Sequence, residues 1–150
     1  MKRMKIDTKY HGNIVVNSED ILTFDHGIPG FGEEKQFVLL PLPENEWFHI
    51  LQSVKTPQLG FVVTDPFMFF KEYDFELDQT SVDLLDNPSE KEVQVLSILT
   101  VREVLNESTA NLQAPIILNL ATRKGKQVIL NNTDYQTKHL IFAQPAGKKG

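Results

Sequence analysis

Short apolar and β-branched runs recur along the whole chain, many of them bounded by proline- or glycine-containing breakers, and these short β-type runs outnumber helical ones. The runs are Lys5 to Tyr10, Asn13 to Val16, Ile21 to Phe24, Phe37 to Leu42, Trp47 to Val54, Leu59 to Thr64, Phe67 to Leu77, Val93 to Val101, Ile116 to Ala121, Gln127 to Leu130 and Thr137 to Phe142. Between them stand His11-Gly12, Gly27-Ile28-Pro29-Gly30, Pro41 with Pro43, Thr56-Pro57, Asp65-Pro66, Asn87-Pro88, Ala114-Pro115 and Lys124-Gly125. Even spacing of many short strands argues a barrel or sandwich over an α/β fold. The expectation is a mostly β, single-domain, antiparallel barrel-like fold with one or two short helices. One helix is expected from Thr80 to Asp86, with Thr80 as cap, Asp83 three residues on, and Asn87-Pro88 as stop. A second is expected near Arg102 to Asn106.

With 150 residues and 41% hydrophobic content, one core suffices. We read residues 1–144 as one β domain and 145–150 as a flexible tail. The absence of cysteine excludes disulfides, thiolate catalysis and cysteine-ligated zinc. Met1-Lys2-Arg3-Met4-Lys5 begins like an export signal but no apolar h-region follows, and no apolar run approaches a membrane span. The expected location is the cytoplasm, where the Asn106-Glu107-Ser108 and Asn131-Asn132-Thr133 sequons carry no glycan.

Within the Phe67 to Leu77 run, Glu72, Asp74, Glu76 and Asp78 alternate with Tyr73, Phe75 and Leu77, the period of an extended chain with one buried and one wet face. Alternate side chains lie about 6.6 Å apart, where like unit charges repel by about 0.6 kcal/mol in water. A chain can bear that repulsion, and a cationic surface would relieve it. The row therefore reads either as a docking face for something basic or as a solvated edge strand kept soluble by its charges. From Glu72 to Glu92, eight acids face Lys91 alone, a net of −7, whereas Arg123 to Gly150 carries a net of +5; the whole chain is at −5. Such polarity suits a basic protein partner better than nucleic acid.

Catalytic chemistry finds little support. His11, His26, His49 and His139 stand singly, without metal-ligand spacing. Gly27-Ile28-Pro29-Gly30-Phe31-Gly32 is neither a dinucleotide fingerprint nor a P-loop; it reads as a turn in which Pro29 sets one torsion, the glycines allow positive φ, and Ile28 and Phe31 pin the loop to the core. No Gly-x-Ser-x-Gly elbow is present. Arg123-Lys124-Gly125-Lys126 falls between two apolar runs and reads as a charged hairpin turn, with a nucleic-acid contact as the competing reading. An enzyme would need two acids to converge in a pocket.

The run Phe24-Asp25-His26-Gly27-Ile28-Pro29-Gly30-Phe31, with Phe37-Val38-Leu39-Leu40-Pro41-Leu42, Leu51-Gln52-Ser53-Val54 and Thr56-Pro57, resembles the FliW flagellar assembly factor family. So do Phe61 to Phe67, Thr109 to Ile116 and Arg123 to Gln127, in the family's order, from about Met4 to about His139. The resemblance implies regulation by protein contact, without catalysis, cofactor or metal. Members bind the translational repressor CsrA, relieving repression of flagellin synthesis, and bind flagellin in the cytoplasm. The resemblance points to non-competitive antagonism beside the RNA groove; the residues alone leave that open. On this basis Glu72, Asp74, Glu76 and Asp78, helped by Asp83 and Asp86, are the candidate repressor-facing residues. Ile28, Phe31, Phe67 and Phe69 are the candidate flagellin-facing residues, each also readable as core. A flagellin chaperone without repressor antagonism is the alternative.

Overall fold

The computed structural model describes residues 3–131 and 133–142. Met1, Lys2, the Asn132 of the second sequon and the expected tail 145–150 lie outside the described residues. The order is β1 (Arg3–Thr8), β2 (Gly12–Asn17), β3 (Leu22–Thr23), β4 (Gln36–Pro41), β5 (Phe48–Ser53), β6 (Gly60–Thr64), α1 (Gln79–Leu84), β7 (Val93–Thr100), β8 (Thr109–Ala110), β9 (Ile116–Asn119), β10 (Lys124–Gln127) and β11 (His139–Leu140). Strands run β7-β6-β5-β4-β3-β10-β9, and β9 then pairs back onto β7 through Val93↔Asn119 to Leu96↔Ile116. That return pairing closes a ring. β8 and β11 extend it from the far end of β7. Among the described residues all strand pairings are antiparallel except the parallel contact of β10 with β3, where Thr23 N–H donates to Arg123 O at 2.8 Å. The barrel-like, mostly β expectation holds.

Closure makes each strand two-faced, and the side chains sort accordingly. Ile116 and Leu118 of β9 and Leu96 and Ile98 of β7 point into the barrel, with Phe24, Phe37, Leu51 and Val63. Their neighbours Ile117, Val93, Val95 and Leu99 point outward into a second core with Phe48, Tyr73, Leu85 and Leu112. Both faces being covered, Ile116-Ile117-Leu118 reads as a solid apolar run instead of an alternating one. On β4, Phe37 and Leu39 face the barrel while Val38 and Leu40 meet Ile6, Ile14 and Val16 of the β1–β2 hairpin. Gln52, fully buried, ties that hairpin down: its Oε1 accepts from Lys9 N–H at 3.0 Å, and its Nε2 donates to Pro57 O and Leu59 O at 3.1 Å each.

Several expectations need correction. The run Phe67 to Leu77 forms no strand: Pro66–Met68 is a 3₁₀ turn capped by Asp65, and residues 73–78 have no ladder partner among the described residues. Period-2 alternation fixes which side chains turn inward, not whether another strand lies alongside. The basic hairpin exists, but its turn is residues 120–123, so Lys124, Gly125 and Lys126 are strand residues of β10 and Val128 to Leu130 lie beyond it. The shift follows from packing, because β10 crosses Phe24 at Gly125, where a Cβ would stand 2.5 Å from the ring. The helix is Gln79–Leu84, capped by Asp78 and not Thr80. The second helix is a 3₁₀ turn at Leu105–Glu107, and β8 was not foreseen.

Gly125→Ala is expected to cost about 1–3 kcal/mol by overpacking. Urea denaturation measures the loss, and Phe24→Leu in the same chain should recover part of it; an additive loss would show that the ring is not what the new methyl meets.

Candidate functional site

After β6 the chain winds through Phe70 N–H to Pro66 O and Tyr73 N–H to Phe70 O, at 2.8 and 3.0 Å, and then straightens from Tyr73 to Asp78. Burial alternates along it: Glu72, Asp74, Glu76 and Asp78 are exposed, while Tyr73 is buried and Phe75 and Leu77 half-buried. Side chains replace the missing ladder. The Tyr73 hydroxyl donates to Leu112 O at 2.7 Å, and the Tyr135 hydroxyl accepts from Asp74 N–H at 3.0 Å. The two phenol rings meet edge to face with centroids 4.7 Å apart, and Phe75 lies 5.2 Å from Tyr73. Burial, reinforced by the neighbouring Tyr135, pushes the Tyr73 phenol well above the ordinary tyrosine range, so it is a hydrogen-bond donor at every physiological pH.

The six candidate acids divide into two groups. Among the described residues, the side chains of Glu72, Asp74 and Glu76 have no hydrogen bond or ion pair and stand free in solvent. Asp78, Asp83 and Asp86 are engaged locally. Asp78 caps α1, its Oδ1 accepting from Ser81 N–H at 2.9 Å, and the bonds to Ser81 hold its carboxyl below the usual range. Asp83 accepts from Gln79 Nε2 at 2.8 Å. Asp86 shares Lys124 with Asp25, at 3.6 and 3.3 Å, and Asp25 above all raises the lysine's pKa. Charges separated along the sequence are thus partly rejoined in space, because β10 brings Lys124 against the end of α1. Of the six candidate acids, those left unbalanced are Glu72, Asp74 and Glu76.

Two grooves flank this extended segment. One, of about 540 Å³, lies between Asp74–Leu77 and the Val82, Pro88 and Glu90 side of the molecule, over the outer side chains Val93 and Val95. The other, of about 410 Å³, lies between Phe75–Asp78 and residues 128–131, where Ile129 is exposed.

The candidate apolar residues do not form one surface. Ile28 is buried in the barrel core, and Phe31 N–H donates to Ile28 O in the turn where Gly27 and Gly30 take positive φ. Ile28 is therefore a core residue and no contact point. Phe31 is exposed and stacks edge-on against Phe61 at the start of β6. Phe67 follows the end of that strand, exposed, with Phe69 half-buried between Trp47 and Phe142. Sequence reasoning missed Trp47 and Met68, both exposed beside them. Among the described residues no group of three or more His, Asp or Glu could hold a metal ion. His139 Nε2 accepts from Gln136 N–H at 2.8 Å, and His11 Nε2 meets Pro41 O at 2.7 Å.

The chain is a mostly β barrel whose distinctive surface, among the described residues, is an unpaired acidic segment between two grooves. The FliW protein model matches residues 5–141, and the chain belongs to the FliW family. The flagellar assembly factor FliW of Geobacillus sp. (strain WCH70) is 55% identical over 145 residues, covering 97% of this chain and 100% of that protein. That of Bacillus subtilis (strain 168) is 51% identical over 138 residues, covering 92% and 96%. A crystal structure of the flagellar assembly factor FliW superposes with a TM-score of 0.90 at 50% identity, covering 95% of this chain and 100% of that one.

Asp78→Ala is expected to lower Tm at neutral pH. Because the cap depresses the folded-state pKa of Asp78, its contribution is full above the unfolded aspartate value of about 3.9 and fades as pH falls through the lower folded value. Thermal melts from pH 7 to pH 2 should show the gap between variant and parent closing at the acid end; a gap independent of pH would contradict the cap.

Proposed function

We propose that this protein is a cytoplasmic flagellar assembly factor that binds the translational repressor CsrA, relieves its repression of flagellin synthesis, and also binds flagellin. It acts by contact and not by catalysis. The observation that carries the reading is the free carboxylate row Glu72, Asp74 and Glu76, exposed and without a cationic partner among the described residues. A repressor that binds RNA must display cations to hold phosphates. An extended acidic segment meets such a surface with charges about every 6.6 Å, and its field would also repel approaching RNA. Asp78, Asp83 and Asp86 border the row and add to that field, although each is engaged within the chain.

For flagellin, the proposed contact is the apolar surface of Phe67 with half-buried Phe69, widened by Trp47 and Met68; Phe31 lies apart. The same surface supports the alternative of a flagellin chaperone without repressor antagonism, so the two functions must be tested separately.

Glu72→Lys, Asp74→Lys and Glu76→Lys combined are expected to weaken CsrA binding by about tenfold or more, since each exposed pair contributes modestly and reversal turns attraction into repulsion. Flagellin binding should be retained. Pull-downs and titrations at low and moderate salt, with and without RNA, measure both. Unchanged CsrA affinity in a folded variant would remove the site, and absence of CsrA binding by the parent chain would leave the chaperone alternative.

A further inference from the structure

The peptide groups of the segment 75–77 are as unoccupied as its carboxylates. Among the described residues, no backbone or side-chain hydrogen bond reaches the N–H or C=O of Phe75, Glu76 or Leu77. In extended chain, the N–H and C=O of one residue point to the same edge and those of the next residue to the opposite edge. Asp74 directs its N–H to Tyr135, which does not line the larger groove. Phe75 and Leu77 therefore present theirs to the opposite edge, and both residues line that groove.

The groove has the dimensions and chemistry of a strand site. Its volume is about 540 Å³, its floor is formed by Val82, Val93 and Val95, and Asp74, Glu76 and Glu90 stand at its rim with no cation among the lining residues. Two residues with free N–H and C=O, spaced two apart, are the acceptor pattern of an antiparallel ladder. Such a row of unpaired groups is a template for another chain.

We infer that residues 74–77 are a receiving edge for strand addition. The occupant is an extended segment of a partner protein that alternates basic and apolar residues. Its main chain pairs with Phe75 and Leu77, its apolar side chains enter the groove over Val93 and Val95, and its cations meet Asp74, Glu76 and Glu90. The inference rests on the reading of this segment as a docking surface and deepens it: charge selects the partner, and main-chain pairing sets its register. It also accounts for the segment's lack of a ladder partner among the described residues.

The test uses three synthetic peptides with the intact protein: acetyl-Lys-Ile-Lys-Ile-Lys-amide, the same peptide with its isoleucine nitrogens methylated, and its glutamate counterpart. Heteronuclear NMR titration reads the amide signals and their hydrogen exchange. The basic peptide should shift the Phe75 and Leu77 amides and slow their exchange, N-methylation should weaken binding about tenfold, as expected for losing one or two net hydrogen bonds, and the glutamate peptide should not bind. Equal binding of the methylated peptide, or no change at Phe75 and Leu77 at millimolar peptide, would overturn strand addition. If either occurs while CsrA still binds the parent chain and not the triple lysine variant, the charge reading stands and strand addition alone falls.

Discussion

Everything else in this molecule depends on the return pairing of β9 onto β7. With Val93 to Leu96 laddered to Ile116 to Asn119, seven strands close, and a sheet that would have had one wet face acquires a fully dry interior. Closure also curves the outer face of β7 and β9, leaving Ile117, Val95 and Leu99 in need of cover. The cover comes from the chain between β6 and β7. It lays Tyr73, Phe75 and Leu77 against that face and so must turn the intervening residues to solvent. An acidic row in that position is a direct consequence of period-2 geometry applied to this sequence.

What makes the row unusual is how it is held. A strand within a sheet has its peptide groups occupied, but this segment is fixed by two phenol hydroxyls and by the cap at Asp78. Side-chain anchoring keeps the backbone in place while leaving its polar groups available. Lys124 meanwhile clamps Asp25 to Asp86 and neutralises the α1 end of the acidic region. The unbalanced charge is left next to the free peptide groups, so a cationic partner would be steered to the place where main-chain contacts can also form.

The strand runs were legible because breakers bound them and because double-sided burial makes them apolar throughout, as at Ile116 to Leu118. Register was less legible where a strand is polar: Lys124 to Gln127 pairs because Gly125 admits Phe24, a tertiary contact with no local sequence signal. β8, two residues long, is too short to show a period. The acidic row was visible from alternation alone, but which acids are free was not. That division depends on Ser81, Gln79 and Lys124 meeting Asp78, Asp83 and Asp86, and the Lys124 contact joins residues 38 apart in sequence from Asp86. Ile28 was legible both as an apolar contact and as a pin holding the turn to the core; with Gly27 and Gly30 at positive φ, the isoleucine is buried as the pin.

The central claim is that Glu72, Asp74 and Glu76 stay in water until a positively charged protein surface covers them. Carbodiimide labelling of carboxylates, read residue by residue by mass spectrometry with and without CsrA, tests it most directly. The account predicts strong labelling of all three in the free protein and suppression at these positions in the complex, with Glu19 on the 3₁₀ turn after β2 unchanged. Persistent labelling of the three in a complex that protects other carboxylates would contradict it.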